Sequence, residues 1–577
     1  MILKIFKRST VIVLSFICIV FSLAPINSKA IFKGNKSINI VNVEGGLVKG
    51  VETDTKGVQL FKGVPFAGST SGENRWKEPQ PVKPWKGVKV SDNWGHRVMQ
   101  DVNVNPVGTF YGDEFYFDDN YTPLTSEDGL NLNVYTPAKK TNDKLPVLVF
   151  MHGGGNRHGH ASEMELYASK LAQKGIVVVT VQYRMNMFGF LALPELSEES
   201  EKGVSGNYAV LDLIKALKWV NKYVSGFGGN PKEVTIAGQS AGAHNVTALL
   251  RTPLAEGLFN RAIIQSGFNG LLTPSGSPSY DSLSEREIKV KEAVTKAFGK
   301  EMSLEELRAL PAEYFMTTKT ADGTKTLFEA LTAAALPNAN GAFVIDDYVF
   351  TEESVNLMRD GALDGIDVMI GGTSDERTSM GVGPSSMPLE QFDSTMRGTY
   401  GDDYTKAYNP INPTEAYNLS LRARSDRSFQ NYLLSAEYIK AHNRNLNVYT
   451  YYLEHAPPGR NSESYGAFHS SDLWYFFNSI RNTPGQRSWT SADYSMAEIM
   501  SSYYANFVKK GNPNGKSLPK WDQSTYKNKK NTPIMRWFDG KAKNVTSTTY
   551  PLRDALNREN ALKEYQISEK DLKRKYK

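Results

Sequence analysis

Glu233-Val234-Thr235-Ile236-Ala237-Gly238-Gln239-Ser240-Ala241-Gly242 is the stretch whose reading decides the fold. β-Branched Val234, Thr235 and Ile236 favour a short buried strand, and residues 243–250 read as helix. A Gly-x-Ser-x-Gly run between strand and helix holds its serine on a strained turn with the hydroxyl exposed. The flanking glycines remove side chains that would collide with neighbouring backbone. The helix behind points its N-terminus at the turn, which favours negative charge developing there. Ser240 is therefore a candidate nucleophile.

Strand and helix signals alternate outward from this turn. Short apolar runs at 145–151, 176–182, 234–237, 262–265, 368–370 and 448–453 are separated by helical stretches. Such alternation builds a mostly parallel sheet covered on both faces. Residues 38–137 are richer in turns and are expected to form an antiparallel opening. Residues 274–358 read as a long helical insertion, expected to roof the site. No Pro/Gly/Ser-rich linker, internal repeat or low-complexity block interrupts the chain. Residues 31–565 are thus expected to be one large α/β domain, although the length alone would suggest several. Residues 566–577, with Lys570, Lys573, Arg574, Lys575 and Lys577, read as a solvated or frayed basic tail.

The first thirty residues read differently. Lys4, Lys7 and Arg8 precede an apolar run over 11–23, and Ser28-Lys29-Ala30 offers a small-x-small cleavage site. This is the pattern of a secretory signal peptide, too short and wrongly flanked for a membrane span. The protein is accordingly expected to be secreted or extracytoplasmic, with no stable span after cleavage. Cys18, the only cysteine, lies inside this segment, behind Ile17 where a lipid-attachment signal needs a small residue. A cysteine-free mature chain of this size has core enough to dispense with disulfides. It also excludes a thiolate nucleophile, a cysteine-ligated zinc site and an iron–sulfur cluster. The formal charge of +6 includes Lys4, Lys7, Arg8 and Lys29, so the mature chain is left near +2. That is too weak a field to draw nucleic acid or an anionic membrane.

A nucleophilic serine needs a base, an acid to orient it and donors for an oxyanion. After a serine on such a turn, the acid and then the histidine follow in chain order. His96, His152, His158 and His160 precede Ser240, and His244 is tied to the same helix. His442 falls in a helical run and reads as an ordinary polar-face residue. His455 precedes Pro457-Pro458, whereas His469 sits in the loop Gly466-Ala467-Phe468-His469-Ser470-Ser471-Asp472. A loop of small and polar residues lets a histidine reach over a serine, so His469 is preferred and His455 is the alternative. Asp375-Glu376 follows the run 367–370 and the turn Gly371-Gly372-Thr373. A carboxylate there could accept the base's second N–H. His152-Gly153-Gly154-Gly155 follows the run 145–151, and its glycines let backbone N–H groups converge on one oxygen, joined by the amide of Ala241. This loop lacks the Lys-Ser/Thr of a phosphate loop and the spacing of a dinucleotide fingerprint. His152 itself reads as structural.

Taken together, these residues resemble the type-B carboxylesterase and cholinesterase family, over about residues 43–537. The chain also carries Phe61-Lys62-Gly63-Val64-Pro65-Phe66-Ala67, Arg75-Trp76, and Ser126-Glu127-Asp128-Gly129-Leu130-Asn131-Leu132-Asn133-Val134. Tyr183-Arg184, Phe188-Gly189-Phe190-Leu191, Gly206-Asn207-Tyr208, Leu211-Asp212, Phe227-Gly228-Gly229-Asn230-Pro231 and Gln265-Ser266-Gly267 follow in order. The resemblance implies an α/β-hydrolase fold: a large, mostly parallel central sheet flanked by helices, an antiparallel N-terminal section, and helical insertions over the active site. It implies a secreted bacterial serine hydrolase that cleaves small-molecule carboxylic esters with no cofactor and no metal. It aligns Ser240 with the nucleophile, Glu376 with the acid and His469 with the base. Gly154, Gly155 and Ala241 align with the oxyanion donors. Arg75 with Glu127 and Arg184 with Asp212 are implied structural ion pairs, and Ser266 an implied hydroxyl near the acid.

The departures from the family pattern set further expectations. Gly129 stands where many relatives carry cysteine, and Trp474 replaces a common proline. Gln239 replaces a common glutamate, which removes negative charge near the substrate and argues against a cationic choline ester. Arg377 follows Glu376 where glycine is usual; it could pair with the acid and alter its pKa, but is expected to point to solvent. Phe110, Tyr111, Phe115, Tyr116, Phe117 and Tyr121 are read first as core and rim packing, and second as the lining of a gorge for aromatic esters. No stretch of 274–358 has the amphipathic face of a lid for long-chain lipids. Two alternatives stay open: a non-catalytic binding or adhesion domain of the same fold, and a hydrolase of thioesters, amides or carbamates. Nothing in the sequence marks the oligomeric state.

Overall fold

The computed structural model describes residues 38–573 except 102–103, 107, 268–279, 338–342, 381–384, 460–461, 484 and 526–531. The signal peptide expected over residues 1–30, with Cys18, lies outside the described residues. One sheet of eleven strands organises the chain. In sequence the strands are β1 (Val51–Glu52), β2 (Gln59–Pro65), β3 (Asn131–Thr136), β4 (Leu145–Met151), β5 (Val177–Val181) and β6 (Gly229–Gln239). They continue as β7 (Arg261–Gln265), β8 (Asp367–Thr373), β9 (Val448–Leu453), β10 (Ile534–Phe538) and β11 (Lys541–Val545). Their spatial order is β11-β10-β9-β8-β7-β6-β4-β5-β3-β2-β1. From β5 through β4, β6, β7, β8 and β9 to β10, every neighbouring pair is parallel. The expected antiparallel opening is present in β1–β2, β2–β3 and β3–β5. The antiparallel closing pair β10–β11 is an addition. β11 is a partly exposed edge with Lys541, Lys543 and Asn544, and it carries no apolar run.

The central strands are apolar on both faces because both faces are covered. Val147, Val149 and Met151 of β4 belong to one core with Leu213 and Leu217 of helix α1 (Tyr208–Tyr223) and Val246 of helix α2 (Ala241–Arg251). Phe429 and Tyr432 of the long helix α3 (Pro413–His442) join that layer. Leu148 and Phe150 point the other way, into a core with Met500 and Phe507 of helix α4 (Ser491–Lys510). Each such side chain, fully buried, contributes about 1.5–3 kcal/mol. The strand ends between these layers are therefore fixed points on which a site can be built.

Both implied ion pairs are formed. Arg184 donates through Nε and Nη2 to the two oxygens of Asp212 at 2.8 and 2.7 Å, which ties the loop after β5 to α1. Arg75 meets Glu127 at 2.6 and 2.7 Å, and its Nη1 also donates to the carbonyls of Leu307 and Leu310. The last two bonds tie Arg75 to the helical insertion. It is present as Leu283–Phe298, Leu304–Ala309, Ala312–Thr317 and Leu327–Ala335. Among the described residues, however, none of it lines the cavity that holds Ser240. A buried guanidinium needs acceptors, and Arg75 takes the insertion's carbonyls. Phe315 then packs edge-on against Trp76, with ring centroids 6.4 Å apart.

The C-terminal stretch read as a solvated tail begins docked rather than frayed. Glu569–Lys573 is helical, and Ile567 and Leu572 are buried with Leu434 and Tyr438 of α3. Two apolar anchors outweigh the run of lysines there. Among the described residues, no helix is long and apolar enough to cross a membrane.

Candidate active site

Ser240 joins the end of β6 to the start of α2 with φ 56° and ψ −121°, a backbone state that non-glycine residues avoid. Such strain costs about 1–3 kcal/mol and persists only where the surroundings over-determine it. Here they do. The Ser240 N–H donates to the Gln265 carbonyl at 2.9 Å, and the Ser240 carbonyl accepts from His244 N–H at 3.1 Å. A Cβ on Gly242 would lie 2.0 Å from the Met151 carbonyl, and one on Gly238 would lie 2.3 Å from the Gly242 carbonyl. β4, β6 and α2 thus approach too closely for any side chain at either glycine.

Glu376, in the loop after β8, is fully buried. Its Oε1 accepts from Thr373 N–H at 3.0 Å and occupies space that a Cβ on Gly372 would invade, at 2.4 Å. Its Oε2 accepts from His469 Nδ1 at 2.5 Å. With Nδ1 donating, the other ring nitrogen, Nε2, is the acceptor. The neighbouring Asp375 has a different task. It accepts from Arg422 Nη2 at 2.6 Å and from Ala467 N–H at 3.1 Å, and its own N–H donates to the Ala467 carbonyl. Of the Asp375-Glu376 pair, Glu376 therefore holds the histidine ring and Asp375 holds the histidine loop.

The other sequence candidates separate cleanly. His455 Nε2 lies 2.8 Å from Asp493 Oδ1, within the N-terminal cap of α4, and takes no part in the cavity with Ser240. His442 is not a solvated polar-face residue. It is buried, stacked on Tyr438 at 3.9 Å, with Nδ1 2.7 Å from Asp360. Arg377 does not point freely to solvent either. It is half-buried beside Tyr432 and Glu376; burial lowers its pKa while those two neighbours favour its charge. Ser266 is fully buried near Glu376 across Gly372, and its Oγ has no hydrogen-bond partner among the described residues.

The glycine loop after β4 turns with φ +98° at Gly154 and +65° at Gly155. A Cβ at Gly154 would lie 1.9 Å from the His158 carbonyl. The Gly154 carbonyl accepts from Arg157 and His158 N–H, and Asn245 Nδ2 of α2 donates to Asn156 Oδ1 at 3.1 Å. Loop and nucleophile helix are thereby locked together. His152 is structural, as expected: it is buried, stacked on Tyr183 at 4.5 Å, and burial lowers its pKa to about 4.

Ser240, Ala241, His469, Gly154 and Gly155 converge on one cavity of about 280 Å³. The aromatic group divides between its two readings. Tyr111, Phe115 and Tyr116 line the cavity, whereas Phe110 stacks on Tyr465 at 4.0 Å and Tyr121 packs on Trp94 and Tyr167. Trp474 secures the short helix Phe110–Phe115, stacking on Phe115 and donating to Glu114 Oε1 at 3.0 Å. Gln239 sits by the histidine, its Nε2 3.2 Å from His469 Nε2. Arg157, His158, Glu163, Glu165, His244 and Met380 also line the cavity. No local pattern marks any of them, and His244 lines the cavity from α2 itself. Burial lowers His158 and His244 to about 4, so both are neutral. Among the described residues, no group of His, Cys, Asp or Glu could hold a metal ion.

Asp472, three residues past His469, is a buried carboxyl that accepts from Tyr451 OH at 2.8 Å. Burial, reinforced by the charge of Glu376, pushes it up to about 6 against the pull of Tyr451. A carboxyl raised on folding stabilises the fold fully below its unfolded value, and that stability is lost as pH rises through the folded value. Asp472→Asn stays neutral, so it is expected to match wild type near pH 4 and to exceed it above about pH 6, by at most about 3 kcal/mol. Thermal melts of both proteins at low and neutral pH check this, and an equal difference at the two pH values would refute it.

Comparison with known proteins shows what the whole chain is similar to. A model of the carboxylesterase family matches residues 37–551. A fumonisin B1 esterase of Sphingopyxis macrogoltabida is 33% identical over 407 residues, covering 69% of this chain and 68% of that protein. Liver carboxylesterase 1 of Oryctolagus cuniculus is 30% identical over 498 residues, covering 82% and 84%. The crystal structure of the Geobacillus stearothermophilus carboxylesterase EST55 superposes with a TM-score of 0.68 at 27% identity, covering 90% of this chain and 99% of that one. The expected α/β-hydrolase fold is the fold of these neighbours.

Proposed function

Since the chain belongs to the carboxylesterase family and is a carboxylic ester hydrolase, we propose that Ser240, His469 and Glu376 are its nucleophile, base and orienting acid. Ser240 Oγ attacks the ester carbonyl while His469 Nε2 takes its proton. Glu376 holds the imidazole in the required tautomer and stabilises the imidazolium. The amides of Gly154, Gly155 and Ala241 receive the oxyanion. His469 then protonates the leaving alcohol, and water repeats the cycle on the acyl-enzyme to release the acid. The reading is carried by the 2.5 Å bond between buried His469 and Glu376 on the wall of the cavity that holds the strained Ser240.

We further propose that the protein is exported and begins at Ile31, from the charged, apolar and small-x-small segments of residues 1–30. One experiment addresses both points. Protein recovered from the culture medium is treated with a fluorophosphonate, and its peptides are mapped by mass. Phosphonylation at Ser240 on a chain starting at Ile31 is the expected result. Modification at another serine would reject the nucleophile, and a chain retaining residues 1–30 would reject the cleavage.

Gly154→Ala tests the oxyanion loop. Its methyl group has no room beside the His158 carbonyl, so the loop must move and a donor is lost. The expected result is a fall of about 10²–10³-fold in kcat, with an unchanged far-ultraviolet spectrum. A full-rate variant would remove Gly154 from the oxyanion site.

A further inference from the structure

Glu163 and Glu165 line the same cavity as Ser240 and His469, and they are only 6% and 3% exposed. Glu163 Oε1 accepts from Tyr116 OH at 2.5 Å and from His160 N–H at 3.2 Å. Glu165 Oε2 is buried and has no hydrogen-bond partner among the described residues. Burial, then the charge of Glu163, pushes the Glu165 carboxyl well up, which favours its protonated form. The surrounding wall is largely apolar, with Phe115, Phe150, Leu166 and Leu473. Beside His469 the wall carries His158 and His244, both neutral, and Arg157 Nη2 donates to the Leu336 carbonyl. Glu165 Oε2 is therefore an acceptor with no donor among the described residues, on the wall of a cavity that already holds Ser240. A buried acceptor left without a donor carries its full desolvation cost.

We propose that Glu163 and Glu165 form a specificity site for a primary ammonium on the substrate, engaged while the ester carbonyl lies at Ser240. This rests on the reading of Ser240 as the nucleophile. An ammonium brings three N–H donors and a positive charge to a carboxylate pair in which Tyr116, His160 N–H and the charge of Arg97 already serve Glu163 while Glu165 Oε2 has no donor among the described residues. On binding, Glu165 releases its proton to solvent and the cation takes its place. A quaternary ammonium has charge but no N–H, so the site discriminates against choline-type heads, in keeping with the missing acid at position 239. The loss of charge at Gln239 thus leaves cation recognition to a different part of the wall.

The test is a ladder of p-nitrophenyl esters of increasing acyl length, each in three forms: ω-ammonium, ω-trimethylammonium and ω-methyl. In wild type, kcat/KM for the ω-ammonium ester is expected to exceed that of its ω-methyl counterpart by about ten- to a hundredfold at the fitting length. The trimethylammonium ester should gain far less. In Glu165→Gln and in Glu163→Gln the ammonium-to-methyl ratio is expected to fall to about one; being a ratio, it is unaffected by partial loss of active protein. A wild-type ratio of one along the whole ladder overturns the proposal while leaving the serine mechanism standing. So does a ratio that survives in both variants, or a trimethylammonium ester favoured equally. If none of the esters is cleaved, the mechanism itself fails. Calorimetric binding of the ω-ammonium and ω-methyl N-ethylamides to wild type then decides the site separately, with equal affinity overturning it and a preference for the ammonium upholding it.

Discussion

Ser240→Ala is expected to lower kcat on a p-nitrophenyl ester by about 10⁴–10⁶-fold. The reason is specific to where this hydroxyl sits. It is the residue held at φ 56° between Gly238 and Gly242, and the methyl of alanine adopts the same backbone without a nucleophile. The Glu376–His469 pair, the glycine loop and the cavity remain in place, so the residual rate measures what they contribute without covalent catalysis. The strain is borne by the backbone, not by Oγ, so the melting temperature should stay close to that of wild type. A folded variant that kept more than about one per cent of the rate would mean that another group attacks the ester.

Glu376→Gln is expected to lower kcat by about 10⁴-fold with KM little changed. Thr373 N–H donates to Oε1, so the amide oxygen of glutamine stays there and its NH₂ turns toward His469 Nδ1. A donor facing Nδ1 forces the ring proton onto Nε2, the nitrogen that must accept from Ser240. The variant keeps shape and loses the tautomer. Steady-state kinetics across the neutral range check this; a loss confined to KM, or one smaller than about tenfold, would assign Glu376 a merely structural role.

What could be read from the sequence was what the backbone decides locally. Gly238, Gly242 and Gly154 are glycines because no Cβ fits, and a motif records such a constraint within a few residues. The Asp375-Glu376 turn was visible for the same reason, although which carboxylate faces His469 depends on Gly372, Thr373 and Arg422 around it. What escaped was set by distant neighbours. Glu163 and Glu165 show no pattern of their own, since their surroundings come from Tyr116, Phe150 and Leu473. The contacts of the insertion with Arg75 had no local signature, because they join carbonyls at 307 and 310 to a guanidinium more than 230 residues away. Arg377 was misplaced because the turn after β8 carries it back against Tyr432. β11 was missed because a charged edge strand has no apolar signature.

The Glu376–His469 bond spans 93 residues, and the contact of Gln239 with His469 spans 230. The serine turn, by contrast, is assembled from a strand and a helix adjacent in sequence. Contacts across long separations form late, because loop-closure entropy opposes them until the intervening chain has ordered. The proposed Ser240–His469–Glu376 constellation is consequently expected to be among the last features completed as this chain folds, since its histidine loop follows β9, which pairs with β8. Enzymatic competence in this protein is thus a sensor of how its C-terminal third is seated, and regain of secondary structure alone does not report it.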